Sequence, residues 1–207
     1  MSKQDNQIDH ADDRRNFFRV DDTIRLSLAR VPEDEFEERV ERLDHDRAGN
    51  FTVMSSLAAI TAQMTIGLRR IENRDPDLAA YLRAIDQKIE VIGRAFIAEE
   101  SEEIAKHAVP VNLSAGGMCV GSHEAFAPGS HVEIRMLLFP SFTGLMIYGT
   151  VIDSAAPKVD DGQEVQHFEQ LVRVEFTHIR EQDRELLIRH LLRRQSDQLR
   201  DRFEDEE

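Results

Sequence analysis

The stretch Val111-Asn112-Leu113-Ser114-Ala115-Gly116-Gly117-Met118 decides how this chain is read. Val111, Leu113 and Met118 are apolar and bracket a polar, glycine-containing turn, as in two short strands joined tightly. Asn112 and Ser114 are two apart, so on a strand they project from one face. Asn112 offers an acceptor oxygen for ring and exocyclic donors on a purine, and amide donors besides; Ser114 offers an adaptable hydroxyl. Gly117 is expected to allow a positive backbone torsion and to leave space where a flat base would approach. Taken alone, the stretch reads as an ordinary hairpin turn.

A second cluster lies far upstream: Arg14-Arg15-Asn16-Phe17-Phe18-Arg19. Arg15 and Arg19 are four apart, with Arg14 adjacent, at the mouth of another apparent strand. Guanidinium groups donate paired hydrogen bonds to phosphate oxygens and match the acceptors O6 and N7 of guanine. Taken alone, arginines near Asp12, Asp13, Asp21 and Asp22 are a solvated mixed-charge patch. Read together, the two clusters describe an anion-binding and guanine-binding site.

The rest of the composition bounds what such a site can be. The chain has 207 residues, 41% of them hydrophobic, enough for one core and a small second unit. Its net charge of -14 argues against a general nucleic-acid or anionic-membrane binder. Cys119 is the single cysteine, so no internal disulfide can form, and a reducing cytosol fits. Its plain reading is a small buried hydrophobe. The acidic N-terminus lacks a signal-peptide pattern, and no apolar run approaches the ~20 residues that span a bilayer. A cytoplasmic protein without membrane insertion is expected.

In chain order, residues 1–32 read as a polar arm, the arginine cluster and a first strand. Its buried face is expected to carry Phe18, Val20, Ile24, Leu26 and Leu28. Residues 33–106 read as helical. Phe36, Val40 and Leu43 define a short amphipathic helix. A broad apolar stripe follows, with Met54, Leu57, Thr61, Met64, Leu68 and Ile71 beside a row containing Val53 and Ile60. Asp75-Pro76-Asp77 opens the next helix, with a capping acceptor and proline in the first turn. There Leu78, Leu82, Ile85, Ile89, Ile92 and Phe96 keep heptad spacing. One hairpin cannot bury both stripes, so the segment either packs on the rest of the chain or self-associates; the heptad regularity favours the latter. Gly67 and Gly93 mark candidate close approaches of helices. Residues 107–179 alternate as short strands with turns, as in a small antiparallel barrel. Residues 180–207 form a terminal helix and an acidic tail.

Arg-Xaa-Xaa-Xaa-Arg followed by Asn-Xaa-Ser-Xaa-Xaa-Gly, each beside a barrel strand, resembles the PilZ domain family. Arg15 and Arg19 match the first motif, with Arg14 the extra arginine often found before it. Asn112, Ser114 and Gly117 match the second, and Gly116-Gly117-Met118 fits the family's glycine-then-apolar sequence. The resemblance implies a six-stranded antiparallel barrel with a terminal helix, a mixed α and β fold. It implies a cyclic di-GMP receptor whose arginine arm closes on the ligand at Arg14, Arg15, Arg19, Asn112, Ser114, Gly116 and Gly117. The separation of the motifs departs from ordinary members. It is similar to oligomeric PilZ proteins with a helical insertion that forms a coiled coil.

Enzymatic readings find little support. The histidines show no metal spacing, and neither a Walker loop nor a nucleophile elbow is present. The expectation is therefore a non-enzymatic cyclic di-GMP receptor without metal or further cofactor. It would be homo-oligomeric through the insertion and would address a protein partner. The alternative is an oligomeric interaction scaffold with a vestigial nucleotide site. Oligonucleotide binding fits poorly, with 6% aromatic residues and no tryptophan.

Overall fold

The computed structural model describes residues 18–45, 50–100, 108–141, 143–156 and 168–204. Six strands close into an antiparallel barrel: β1 (Val20–Val31), β2 (Ala108–Ser114), β3 (Gly117–Ser122), β4 (His131–Leu138), β5 (Thr143–Ala155) and β6 (Gln170–His178). Their order around the barrel is β1-β2-β3-β6-β5-β4. Closure leaves no free edge, and β1 achieves it by pairing with β2 through its first half and β4 through its second. Inward positions alternate as expected of a strand with one buried face: Val111 and Leu113, Met118 and Val120, Val172, Val174 and Phe176.

Helices α1 (Glu33–Asp44), α2 (Asn50–Glu72) and α3 (Pro76–Glu100) enter between β1 and β2, and α4 (Glu181–Glu204) closes the chain. Asp75 caps α3 as its sequence implies, its Oδ1 accepting the Leu78 N–H at 3.0 Å. The root of the insertion is part of the fold. Leu43 of α1 and Phe51 and Met54 of α2 pack with Val31, Leu137, Met146 and Tyr148 on the outside of β4 and β5. Residues 143–149 are therefore buried on both faces. Phe36 stacks on His131 with ring centroids 3.8 Å apart, and Arg39 reaches Glu133 at 3.2 Å, where the Tyr148 hydroxyl also donates at 3.0 Å. Burial first, and then the Glu133 carboxylate, raises the Tyr148 pKa far above its ordinary value.

Beyond this root the hairpin stands free. On α3 the inward stripe is Ala79, Leu82, Asp86, Glu90 and Gly93, of which only Ala79 and Gly93 are fully buried. The heptad residues Leu78, Ile85, Ile89 and Ile92 lie off that stripe and are exposed. On α2, Ile60, Met64 and Ile66 are 51–65% exposed. Gly93 does mark a close approach, since a methyl there would collide with the Met54 thioether, whereas nothing lies near Gly67.

Three expectations need correction. Phe18 precedes β1 and is exposed, and its place in the inward row falls instead to Asp22, which lies in register with Val20 and Ile24. Gly117 does not take a positive φ; among the described residues only Gly129 does. It is required because a side chain would strike the Val174 carbonyl of neighbouring β6. Finally, Phe51–Glu72 is long and apolar enough to cross a membrane by length and composition, with a mean hydropathy of 1.4. Alanine, serine, threonine and glutamine dilute its apolar rows without adding charge, which hides the run from a search for unbroken apolarity. Its first turns are buried against the barrel and the preceding helix.

Candidate functional site

Adjacent strands carry the two motifs to one place. Asp21 of β1 is the ladder partner of Asn112 of β2. Arg19 precedes β1 by one residue, and its Nη1 donates to Asn112 Oδ1 at 3.0 Å. Asn112 Nδ2 donates in turn to Asp21 Oδ1 at 2.8 Å. These two bonds set which end of the Asn112 amide is oxygen and which nitrogen. The Asn112 oxygen thus faces a guanidinium from a motif 93 positions away. Arg14 and Arg15 lie outside the described residues.

Ser114 shares the outer face of β2 with Asn112 but is only 4% exposed, and its hydroxyl donates to the Gly117 carbonyl at 3.0 Å. In this state it closes the β2–β3 turn. Gly116 sits in that turn, its carbonyl accepting the Phe176 N–H at 2.9 Å, and Gly117 lets β3 lie close to β6. Asn112, Ser114, Gly116, Gly117 and Arg19 therefore lie together on the outer barrel wall, around the β2–β3 turn and the start of β1. An open groove of about 630 Å3 lies elsewhere, between α2, α3, the start of β5 and α4.

Behind the patch is a buried polar cluster. Asp22 points inward, and its Oδ2 accepts from His190 Nε2 of α4 at 2.6 Å. Its Oδ1 accepts the Thr23 N–H at 2.8 Å. Arg194 Nε lies 2.7 Å from that Oδ1, close enough for an ion pair but not aligned as a hydrogen bond. Burial alone would raise the Asp22 pKa. The hydrogen bonds of His190 and Thr23, with the charges of His190 and Arg194, outweigh burial and hold it below the usual carboxylate value. Gln198 Nε2 also donates to the Asp21 carbonyl at 2.6 Å. The C-terminal helix is thereby bonded to Asp21 and Asp22, the second and third residues after Arg19. Sequence reading missed this cluster. The available signal was parity: Asp22 shares the inward phase of Val20 and Ile24, where a carboxylate demands a partner.

The sequence profile of the PilZ domain matches residues 77–193, more than half of the chain, and the chain belongs to that family. The match begins inside α3, so α1 and α2 separate β1 and its arginines from the matched stretch. Among solved structures, the chain resembles a pathogenic protein from Xanthomonas campestris, described as a tetrameric PilZ domain self-assembled via an unusual helical bundle. The identity is 16%, with 89% of this chain and 92% of that one covered and a TM-score of 0.52. No curated protein matches the chain.

Proposed function

We propose that the protein is a non-enzymatic receptor for cyclic di-GMP that assembles through its helical insertion. The Arg19–Asn112 hydrogen bond carries this reading, because it joins the two motifs through groups complementary to guanine and phosphate. Arg14 and Arg15 would complete a cationic clamp, with Asn112, Ser114, Gly116 and Gly117 as its wall. Binding has to exchange the Arg19–Asn112 bond for bonds to the nucleotide, and the rearranged arm offers a protein partner a changed surface. In this reading the protein acts in the cytoplasm and needs no metal or further cofactor.

Assembly is supported independently by the exposed rows on α2 and α3 and by the helical-bundle description of the Xanthomonas campestris protein. An alternative, an oligomeric scaffold with a vestigial site, is favoured by one observation: Ser114 Oγ is buried and already bonded to Gly117. Titration calorimetry with cyclic di-GMP separates the two. The receptor reading expects saturable heat from wild type and its loss in Arg15→Ala and Arg19→Ala. Absence of binding by wild type at tens of micromolar nucleotide leaves the scaffold.

A further inference from the structure

We infer that the nucleotide wall continues across β3 and ends in Arg173 of β6, which supplies a barrel-borne guanidinium to the same ligand. This inference rests on the receptor reading. It follows from the strand register. Asn112 of β2 pairs with Cys119 of β3, and Cys119 pairs with Arg173 of β6. All three are out of phase with the core residues Leu113, Met118, Val120, Val172 and Val174, so they form one outward row continuing from Asp21. Two strand spacings separate Asn112 from Arg173, about 10 Å.

Arg173 is exposed, and among the described residues it makes no ion pair, although Asp153 faces it across the ladder and Glu175 lies two residues on. A guanidinium held on a barrel strand costs less to position than one on a leading arm, since its backbone is already fixed. The row thus has a cationic group at each end, Arg19 and Arg173, with the Asn112 amide and Cys119 between them. A ligand with two phosphates and two guanines has a group for each end: phosphate oxygens, or O6 and N7, accept from the guanidinium fork. Glu175 and Asp153 beside Arg173 are acceptors suited to the ring and exocyclic N–H groups of guanine. A mononucleotide would engage one end of the row only.

The single cysteine makes the row directly observable. Cys119 is half-buried on the outer face, and a ligand spanning Asn112 to Arg173 must pass over it. The experiment uses the full-length protein and cyclic di-GMP in calorimetry. Arg173→Ala and Arg173→Gln are compared with wild type, Arg19→Ala, and Arg69→Ala as an exposed control on α2. In parallel, the rate of Cys119 alkylation by N-ethylmaleimide is followed with and without saturating nucleotide. Both Arg173 variants are expected to bind at least roughly tenfold more weakly, as for loss of a charge-assisted contact. Arg69→Ala should be unchanged, and nucleotide should slow Cys119 alkylation severalfold in wild type. If wild type binds and Arg19→Ala does not, but Arg173→Gln binds within twofold of wild type or saturating nucleotide leaves the Cys119 rate unaltered, the role of Arg173 is refuted while the receptor reading stands. Failure of wild type to bind overturns both.

Discussion

The barrel and the helical insertion treat their apolar residues in opposite ways. Each barrel strand sends one face into a shared interior, and β5 is covered on its outer face too. The insertion buries only its root. Beyond Ala59 the α2 side chains are mostly exposed, and α3 turns Asp86 and Glu90 toward the hairpin while Ile85, Ile89 and Ile92 face out. A helix that puts half-buried carboxylates on its inward stripe and a heptad of isoleucines outside it has the apolar pattern of a helix that packs on a partner. The barrel finishes its own core; the hairpin leaves its apolar rows exposed, and under the proposed assembly a second copy covers them.

The largest effect that would break this contrast lies in the heptad. If the hairpin carries the proposed assembly, Ile85→Glu combined with Ile92→Glu should convert it to a monomer in multi-angle light scattering. Introducing charge at two positions of the proposed seam per helix is expected to weaken association by orders of magnitude. The barrel should stay folded by circular dichroism, and nucleotide binding should persist. If wild type is itself a monomer, the contrast has no bearing on assembly.

The barrel's elements were legible because a period of two interrupted by glycine and proline is a local signal. The β2–β3 turn at Ala115-Gly116 and the strand end at Val31-Pro32 both follow from adjacent residues. The heptad on α3 was equally legible, but not which way it faces: that depends on α2, Gly93 and Met54, which are far apart in sequence. At the site, the motifs could be recognised by spacing, and their meeting requires the β1–β2 register. What could not be read were the long-range polar partners. Asp22 with His190 spans 168 positions, and Arg180 with Ser55 spans 125. Parity marks Asp22 as an inward carboxylate, but nothing periodic names His190 as its partner or links Arg180 to Ser55.

Those partners join the two regions through α4, and they sharpen the comparison. Arg180 is buried with Asp183, donating to its Oδ2 at 2.8 Å and its Oδ1 at 3.0 Å, and it also donates to Ser55 at the root of α2. Arg180→Ala leaves the Asp183 carboxylate buried without its guanidinium and should cost about 3–5 kcal/mol in denaturant unfolding. The exposed ion pair Arg42–Glu38, by contrast, should contribute less than about 1 kcal/mol when Arg42 is replaced by alanine. A similar loss from both substitutions would show that the root of the hairpin is not pinned from α4.

Asp22 is expected to rank next. Asp22→Asn should cost about 1–3 kcal/mol at neutral pH, measured by chemical denaturation, because it weakens the charge-assisted bond to His190 and removes the ion pair with Arg194. The folded-state pKa lies below the ordinary value of 3.8, so the unfolded chain binds the proton more tightly. The contribution is therefore fully present above that value and is lost as the pH falls from it through the folded-state pKa. The gap between wild type and Asp22→Asn should narrow only in that acid range. A gap that already closes near neutral pH would mean that the Asp22 carboxylate is not the group responsible.

The smallest effects separate the two regions most cleanly, because one substitution type is made in both. Gly117→Ala drives a methyl into the Val174 backbone carbonyl, which cannot move without disturbing the β3–β6 ladder. A cost of about 1–3 kcal/mol is expected from such overpacking. Gly67→Ala meets nothing within 4 Å and replaces a poor helix former in mid-helix, so a gain of about 0.5–1 kcal/mol in thermal or denaturant stability is expected. That gain belongs to a hairpin whose outer surface is free at Gly67. If Gly67→Ala instead destabilises the full-length assembly while stabilising the Ile85→Glu, Ile92→Glu monomer, Gly67 lies where helices of two copies meet, and the small residue is needed for their close approach.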